Sequence, residues 1–376
     1  MRVKLYICCL VVVLFLVQGC VEKFAPPVTT GNQNYLVVDG FINNGADSTI
    51  ITLSRTRNVG DTVSAIPELH AQLFVIKNGS ILYSLQEQGG GRYESPGQLL
   101  DVNGKYRLKI ITAQGKEYLS DEISVKETPP IDSVAFVSNS GGVTFFVNTH
   151  DPTNNSRYYQ WEYEETWEYH STFESNLEYV NGSVVTRPPE REIYTCYQNA
   201  KSTSIFLGSS ANLAEDIIYQ NPLVTVPRNS SQITVRYSLL VKQYVLSQEA
   251  FTYWQNIKKT TEQLGSIFDA QPSQFKGNIH SVADAQEPVL GYMSIYNKKE
   301  KRIFVTPEEV KPWVFSGPQC ELSILSRDTW NFYVVNFGYI PVSISGPPPG
   351  VISWSEGICV DCRIRGGTTV KPAFWP

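Results

Sequence analysis

The stretch YYQWEYEETWEYH, residues 158–170, combines glutamates and aromatic rings in a pattern that could do chemistry. Glycosidases use two carboxylates that face each other across the substrate, ~5–9.5 Å apart. Counting by twos assigns these residues to the two faces of a strand. One face holds Tyr159, Trp161, Tyr163, Glu165, Trp167 and Tyr169, and the other holds Gln160, Glu162, Glu164, Thr166 and Glu168. We therefore predict a long strand with its aromatic face on the core and its acidic face in solvent.

Glu165 is the one carboxylate of this stretch that we treat as a site candidate. It interrupts the aromatic face, where a charged group buried alone is costly. Glu162 and Glu164 point the same way from one strand face, so they do not enclose a substrate. A second hypothesis is an aromatic platform on which a sugar or a peptide stacks. The candidate ligand-binding residues are Trp161, Tyr163, Glu165 and Trp167.

The first nineteen residues have the features of a signal peptide. A short basic region, Arg2 and Lys4, precedes an apolar run over residues 5–17. A run of that length is too short to cross a bilayer, which needs ~20 helical residues, but it is typical of a signal-peptide core. We expect residues 1–19 to be removed and the rest of the chain to be exported.

Cys20 ends the sequence Val17-Gln18-Gly19-Cys20, which is similar to the lipobox of bacterial lipoproteins. In a lipobox the cysteine sulfur receives a diacylglyceryl group, and cleavage makes that cysteine the new N-terminus. Two or more acyl chains hold a protein stably on a membrane. We predict lipidation of Cys20 and a Pro- and Asn-rich flexible tether over residues 20–33. The alternative is an ordinary signal peptide cut elsewhere, which would leave Cys20 in a disulfide.

The body of the chain carries the cysteines Cys196, Cys320, Cys359 and Cys362. An even number in an exported protein predicts two disulfides, and we favour Cys359–Cys362 together with Cys196–Cys320. A C-x-x-C pair can also be redox-active or form half of a zinc site. The residues after it, RIRGG, are unlike the helix that follows a thioredoxin-type pair, and the histidines are distant in sequence. Structural disulfides are therefore favoured, and no metal site is predicted.

The composition argues against several classes of ligand and chemistry. A formal net charge of −5 without basic clusters argues against nucleic acid and against anionic lipid as direct ligands. Aromatic residues at 12% and charged residues at 18% are typical of β-rich extracytoplasmic proteins. The sequence contains no G-x-S-x-G, H-E-x-x-H, P-loop or dinucleotide-binding pattern. We therefore expect no catalytic residues, no cofactor and no enzymatic activity.

Short alternating runs predict a mostly β fold of two domains. Runs between residues 35 and 125 are separated by Asn-Gly and Gly-rich turns: YLVVDGFI, STIITLS, HAQLFVIK, ILYSLQ, KYRLKIIT and EYLSDEISV. They predict an immunoglobulin-like or transthyretin-like sandwich over residues 34–127. Pro129-Pro130 then indicates a stiff linker. Residues 131–376 are predicted to form a larger β-rich domain.

One amphipathic helix is predicted near residues 247–268 of this second domain. Ser247 is a suitable residue for its N-cap. Apolar residues that recur every three or four positions predict one buried stripe along the helix. The stripe consists of Phe251, Trp254, Ile257, Thr261 and Leu264. These aromatic residues are expected in the core rather than at a cofactor site.

Five segments of the chain carry a family resemblance. They are YLVVDGFI, YYQWEYEETWEY, CYQNAKSTSIFLGSS, RYSLLVKQYVLSQEAFTYWQNIKKTTEQLGSIFDAQPSQFKGNI and CVDCRIRGGTTVKPAFWP. Together they resemble the DUF4249 family of Bacteroidota lipoproteins, from about residue 30 to residue 376, with residues 236–279 the most specific. The resemblance implies an outer-membrane lipoprotein that is often encoded beside a SusC-like TonB-dependent transporter. It carries over no catalytic residues, because none are established for the family.

The expected function is that of a non-enzymatic accessory of such a transporter. The protein would capture a nutrient ligand or complete the extracellular face of the transporter, held to the outer membrane by its lipid and expected at the cell surface. Two other hypotheses stay open: a hydrolase that trims a glycan or peptide before import, and a purely structural surface protein. A second carboxylate facing Glu165 in a cleft would favour the hydrolase, and an exposed aromatic shelf would favour the binding protein.

Overall fold

The computed structural model describes residues 34–56, 66–262 and 277–376. Within them the fold is mostly β, as predicted, with strands in several sheets and few helices. The predicted signal peptide, Cys20 and the tether up to residue 33 lie outside the described residues. None of the helices in the described ranges is long and apolar enough to cross a membrane.

The N-terminal unit is built from successive strands. They are β1 (Leu36–Asn43), β2 (Thr49–Arg55), β3 (Ile66–Pro67), β4 (Gln72–Lys77), β5 (Ser80–Gly89), β6 (Arg92–Ser95), β7 (Lys105–Ile111), β8 (Glu117–Ser120) and β9 (Ile123–Lys126). Their sequences alternate, as a strand with one buried face requires. In β7, for example, Tyr106, Leu108 and Ile110 are buried and the residues between them are not. These buried side chains form the core of the unit.

Short strands from much later in the chain complete this unit. They are β19 (Ile279–Ser281), β20 (Val289–Leu290) and β21 (Ile295–Tyr296). Strand β21 lies between β1 and β9 and runs parallel to both, and β9 also pairs with β7. The sheet therefore closes on itself in the order β7, β4, β5, β6, β2, β1, β21, β9. Met293 and Ile295 are buried in its core.

The predicted division into domains needs a correction for this reason. Residues 279–296 fall within the predicted C-terminal domain of residues 131–376, but they complete the N-terminal sheet and its core. Strands of two or three residues are too short to show the alternation that identifies longer strands. The predicted sandwich of residues 34–127 is therefore part of a unit that also needs this returning segment, residues 277–296.

The second unit packs two sheets around one core. Its strands are β10 (Ile131–Asn139), β11 (Gly142–His150), β12 (Tyr158–His170), β15 (Thr195–Lys201), β16 (Phe206–Ser209), β17 (Ile217–Pro227), β18 (Arg236–Val245) and β22 (Lys299–Val305). One sheet has the order β10–β11–β17, and the other has β15–β12–β18–β22 with β16 beside β12. Phe145 and Tyr237, from opposite sheets, have ring centroids 5.2 Å apart in the shared core. This unit is a β-sandwich.

Helix α1 (Gln248–Glu262) follows β18 directly. Ser247 caps it as predicted, because its Oγ accepts a hydrogen bond from the Ala250 N–H at 3.1 Å. The helix buries Ala250 and Tyr253, since the Tyr253 ring packs on Tyr292 of the returning segment. The buried face of the helix is therefore rotated away from the predicted stripe. Phe251, Trp254 and Ile257 are half-buried, Thr261 is exposed, and Leu264 lies outside the described residues.

Residues 311–361 form a small lobe with its own buried cluster, here called the C-terminal lobe, which packs on the sandwich through Trp313. It contains β23 (Ser323–Ile324), α2 (Trp330–Phe337), β24 (Tyr339–Ser345), β25 (Val351–Glu356) and the short helix α3 (Gly357–Val360). The hairpin of β13 (Leu177–Val180) and β14 (Ser183–Thr186) packs against β24. Single 3-10 turns lie at Pro189–Arg191, Ser231–Ile233, Pro307–Val310, Arg327–Thr329 and Cys362–Arg365. The buried core of the lobe is small and holds Ile193, Val342, Cys359 and Val360.

The disulfides of the described chain join Cys196 to Cys362 and Cys320 to Cys359. The prediction of two disulfides is confirmed, but the favoured pairing is wrong. A bridge between Cys359 and Cys362 does not form because these cysteines face different cores. Cys359 is buried in the core of the C-terminal lobe, and Cys362 is buried in the core of the sandwich. The C-x-x-C pair therefore belongs to two different bridges.

We expect the bridge Cys196–Cys362 to stabilise the fold more than Cys320–Cys359. The sequence separations are 166 and 39 residues, and closing a longer loop removes more entropy from the unfolded chain. The double variant Cys196→Ala/Cys362→Ala should lose ~2–5 kcal/mol of unfolding free energy, about 1 kcal/mol more than Cys320→Ala/Cys359→Ala. Urea denaturation of both variants measures the difference. Equal losses, or a non-reducing peptide map that joins Cys359 to Cys362, would contradict this assignment.

Candidate functional site

Strand β12 carries the predicted site residues and lies in the middle of its sheet. It pairs with β18 from Tyr159 to Glu168 on one side and with β15 and β16 on the other. A strand that is paired along both edges has a fixed register, so each side chain is committed to one face. The aromatic face is directed into the core of the sandwich, as predicted. The prediction that the acidic face meets solvent holds only at Glu162, which is exposed, because the other side chains of that face are half-buried or, at Thr166, buried.

The aromatic rings of β12 belong to the core and do not form a stacking platform. Trp161 is 0% exposed and Trp167 is 8% exposed. Tyr163 is half-buried against Phe206, with ring centroids 5.4 Å apart. A sugar or peptide that stacks on a ring needs an open ring face. The predicted ligand-binding role of Trp161, Tyr163 and Trp167 is therefore corrected to a packing role.

Trp161 also fastens the linker between the two units. Its Nε1–H donates to Gln243 Oε1 at 2.8 Å. The Gln243 amide in turn donates to the Pro129 carbonyl at 2.9 Å and to Thr149 Oγ1 at 3.0 Å. All four groups are buried, so each needs a partner to offset the loss of water. This network holds the predicted linker at Pro129 against the core of the sandwich.

Glu165 is buried, with 7% of its surface exposed. Its Oε1 accepts hydrogen bonds from the Tyr237 hydroxyl at 2.8 Å and from the Gln232 amide at 3.0 Å. Burial raises the pKa of the Glu165 carboxyl, and these two neutral donors lower it only in part. A glycosidase carboxyl faces a second carboxyl across an open gap, whereas this one is enclosed by its donors. Its surroundings are those of a structural group.

The acidic face of β12 is paired with cations and partly covered. Glu164 Oε1 lies 2.7 Å from Lys242 Nζ and 3.6 Å from Lys201 Nζ. Partial burial raises the pKa of Glu164, but these ammonium groups outweigh it, and the pKa is lowered. Glu168 Oε2 accepts a hydrogen bond from Trp375 Nε1 at 2.7 Å. The C-terminal residues therefore return over a face that the alternation assigns to solvent.

A cavity of about 420 Å³ lies where the two units meet. Its walls are the turn between β8 and β9, the first turn of α1 and parts of the returning segment. The polar side chains along it are Asp121, Glu122, Ser124, Lys126, Ser247, Glu249, Asn278, Tyr292 and Ser294. Ligand pockets are commonly clefts of ~300–1,000 Å³ at domain interfaces with a few convergent polar groups. This cavity is the candidate binding site.

Hydrogen bonds fix the walls of this cavity. The Asn278 side chain binds the main chain of Met293 twice, through Nδ2–H to the carbonyl at 2.8 Å and through Oδ1 to the N–H at 2.7 Å. The backbone N–H of Glu249 and the Ser247 hydroxyl lower the pKa of the Glu249 carboxyl. Burial raises the pKa of the Tyr292 hydroxyl. A ligand therefore meets an ionised acceptor and a neutral phenol on fixed walls.

Three carboxylates, those of Asp121, Glu122 and Glu249, line the cavity together with one ammonium group, that of Lys126. Asp121 Oδ1 lies 3.2 Å from His280 Nε2, and the side chain of Asp121 is 63% exposed. Carboxylate, amide and hydroxyl groups beside an aromatic ring suit a ligand rich in hydroxyl or ammonium donors. The described ranges contain no group of three or more His, Cys, Asp or Glu that could hold a metal ion. Sequence reasoning missed this site because its residues come from separate segments without a shared motif.

A second depression, of about 690 Å³, lies beside the start of the described chain. Its floor is the buried ion pair of Arg55 Nε and Glu68 Oε2, 2.5 Å apart. At its rim, Glu287 Oε1 accepts a hydrogen bond from the Tyr118 hydroxyl at 2.6 Å. These charged groups already have partners, so a ligand would have to compete with them. The cavity between the units is the better candidate.

Neutralising Glu165 and neutralising Glu164 should change stability in opposite directions. The pKa of the Glu165 carboxyl is raised in the folded state. The folded protein therefore loses unfolding free energy as the pH rises from the pKa of the unfolded state through that of the folded state, by ~1.4 kcal/mol per unit of difference between the two. Glu165→Gln keeps an oxygen acceptor and should gain unfolding free energy over wild type between about pH 5 and pH 8. Glu164→Gln, the matched control, loses an ion pair and should be less stable than wild type at the higher pH. Urea unfolding at both pH values tests this, and parallel pH profiles for wild type and Glu165→Gln would contradict it.

Two solved structures illustrate distant similarities. A protein of Corynebacterium diphtheriae described as membrane anchored is 10% identical over 57% of this chain and 55% of its own, with a TM-score of 0.17. A chitinase from Bacillus thuringiensis is 12% identical over 53% of this chain and 29% of its own, with a TM-score of 0.16. The chain thus spans about half of the first protein and under a third of the second. No curated protein is significantly similar to it.

The family comparison is specific. The family described as "Domain of unknown function (DUF4249)" matches residues 21–302, about three quarters of the chain. The match includes the strands of the N-terminal unit, most of the sandwich, helix α1 and the returning segment. It thus covers the elements that line the cavity. The chain belongs to the DUF4249 family.

Proposed function

We propose that this protein is a lipid-anchored outer-membrane protein of the cell surface, and that it captures a ligand for a SusC-like TonB-dependent transporter without converting it. The lipobox-like sequence before Cys20 supports the anchor. Membership of the DUF4249 family supports a partnership with the transporter, because the resemblance implies a protein that is often encoded beside one. Two proteins tethered in one membrane reach a high effective concentration for each other, which favours their pairing.

The cavity between the two units is the observation that carries the proposal. It has the volume of a small-ligand site, and its polar groups come from both units. Hydrogen bonds lower the pKa of the Glu249 carboxyl and burial raises the pKa of the Tyr292 hydroxyl, so both groups keep their ordinary charge states at neutral pH. These groups favour a ligand with several hydroxyl or ammonium donors. A protein that holds such a ligand above a transporter pore raises its local concentration there.

The hydrolase hypothesis has less support from the same groups. A glycosidase needs one carboxylic acid with a raised pKa beside the substrate. Glu165 has a raised pKa, but its carboxyl is enclosed by Tyr237 and Gln232. Glu249 lines the cavity, but its pKa is lowered. The carboxyl with the raised pKa, Glu165, thus does not line the cavity, and Glu249, which does, has a lowered pKa.

Purification of the native lipoprotein in mild detergent should bring down a SusC-like barrel. A tag can follow Pro376, which is exposed. Deleting either unit is a poor test, because the returning segment links them, so point variants are preferable. Glu249→Gln/Tyr292→Ala should leave the barrel bound but weaken uptake of its nutrient at least about tenfold, the effect of losing ~1.4 kcal/mol of binding.

The matched control is Glu164→Gln, which removes a carboxylate away from the cavity and should leave uptake unchanged. Mass spectrometry must identify the captured barrel. If the native protein comes out alone in several detergents at low salt, the transporter-accessory proposal should be dropped. If the barrel is captured but the cavity variant supports normal uptake, the cavity is not the capture site.

A further inference from the structure

Helix α2 is apolar apart from two asparagines, and none of its residues is buried. Its sequence, WNFYVVNF, contains no charged residue. Phe332 is 55% exposed, Val335 is 70% exposed and Phe337 is 58% exposed. A helix that is apolar on most sides is normally covered by a protein core or by a membrane. Within the described structure, α2 has no such cover.

The turn that joins β24 to β25 has the same character. Residues 343–349 are all exposed, and Ile344 and Val351 flank the tip. Pro347, Pro348 and Pro349 have no N–H to leave unpaired, and the Gly350 N–H donates to the Pro347 carbonyl at 2.8 Å. The tip therefore presents apolar rings where a turn normally presents backbone donors.

Some polar side chains of these elements make hydrogen bonds within the lobe. The hydroxyls of Ser343 and Ser353 lie 2.8 Å apart across the hairpin. The Asn336 amide donates to the Phe332 carbonyl at 2.8 Å. A polar group that already has a protein partner costs less to remove from water than one that depends on water. This surface is thus suited to an environment with little water.

The surface also lacks charge. Residues 329–355 include no Asp, Glu, Lys or Arg, whereas these types make up 18% of the whole chain. The nearest charged residues along the chain are Asp328 and Glu356. A charged partner would bury its own charge against this surface without a counterion, which is costly. Whatever covers the surface must itself be uncharged at the contact.

We propose that α2 and the β24–β25 turn insert into the headgroup–acyl boundary of a lipid bilayer. Both elements are exposed, since no residue of α2 is buried and residues 343–349 are all exposed. Protein partners gain most of their affinity from well-packed, fully desolvated pockets, whereas lipid chains can close around projecting Phe, Val and Ile side chains. Aromatic residues such as Trp330, at the start of α2, and Tyr339, at the start of β24, favour this boundary. The contact is independent of the transporter pairing and adds to the anchor predicted at Cys20.

The lobe is braced to hold these side chains outward. Trp354 is fully buried beneath the hairpin, and its ring centroid lies 5.3 Å from that of Trp330 and 6.0 Å from that of Tyr179. The disulfide Cys320–Cys359 closes the other side of the lobe. A body with so small a core needs such a crosslink. The apolar residues that could have enlarged the core are the ones left facing outward.

Vesicle flotation of the mature chain, residues 20–376, with Cys20→Ser tests this contact, because that variant carries neither the acyl anchor nor the apolar run of the signal peptide. The probe is neutral phosphatidylcholine vesicles, at low and high salt. Phe332→Gln/Val335→Gln on the same background should lower partitioning at least about tenfold, since it removes two exposed apolar side chains. Leu99→Gln/Tyr219→Gln is the matched control, because these residues are 88% and 75% exposed outside the lobe. It should bind like the Cys20→Ser parent.

Partitioning should not depend on salt, because no charge takes part. Circular dichroism and urea unfolding must show that both double variants are folded, and Ile344→Ser/Val351→Ser provides a second test at the hairpin. Equal partitioning of lobe variants and parent would overturn the proposal. It would equally be overturned if the lobe variants changed only the oligomeric state, which indicates a second copy, or only the capture of the transporter, which indicates a protein interface.

Discussion

The closure of the N-terminal sheet by strand β21 is the constraint on which the rest of the molecule depends. The Ile42 N–H donates to the Ser294 carbonyl at 3.0 Å, so one edge of β1 is paired only by residues that follow helix α1 in the chain. Without the returning segment, β1 and β9 would be open edges, which are templates for non-native pairing, and Met293 would leave the core. The chain must therefore form the sandwich strands and α1 and then come back before its first unit is complete. The two units stabilise each other and are not exchangeable domains.

This return also creates the candidate site. Glu249 belongs to the helix that leaves the sandwich, while Asn278 and Tyr292 belong to the chain that comes back. The Asn278 side chain makes its hydrogen bonds to the main chain of Met293. The cavity wall is therefore held by the same segment that closes the sheet. On the other side, Gln243 holds the linker at Pro129. The position of the cavity is thus determined by long-range pairing, and a change in either unit would move its walls.

Features that repeat along the chain could be predicted from the sequence, and features set by distant contacts could not. Residues 159–169 of β12 alternate between an aromatic and a polar face except at Glu165, so the two faces, and the position of Glu165 on the buried one, follow from the pattern. The cap at Ser247 follows from its side chain and the apolar run after it. Strands β20 and β21 have two residues each, too few for any periodicity. The number of cysteines predicts the number of bridges. The partner of Cys196 lies 166 residues away. It is Cys362 because that cysteine is buried in the sandwich core with Cys196, whereas Cys359 is buried in the core of the lobe.

The same distinction explains why the densest aromatic segment is not the binding surface. The aromatic residues of β12 alternate with polar ones, which is the pattern of a strand with one buried face. Trp161 accordingly lies in the core and donates its N–H to a buried glutamine. Most aromatic residues of the C-terminal lobe lie in an eight-residue helix and in strands of six or seven residues. Elements this short cannot enclose much apolar surface among themselves, and a disulfide supplies the stability that a larger core would otherwise provide. Apolar residues in such a lobe remain exposed because the lobe is too small to bury them. The bilayer contact proposed for this lobe is therefore marked by exposed apolar residues without periodicity and without charged neighbours along residues 329–355.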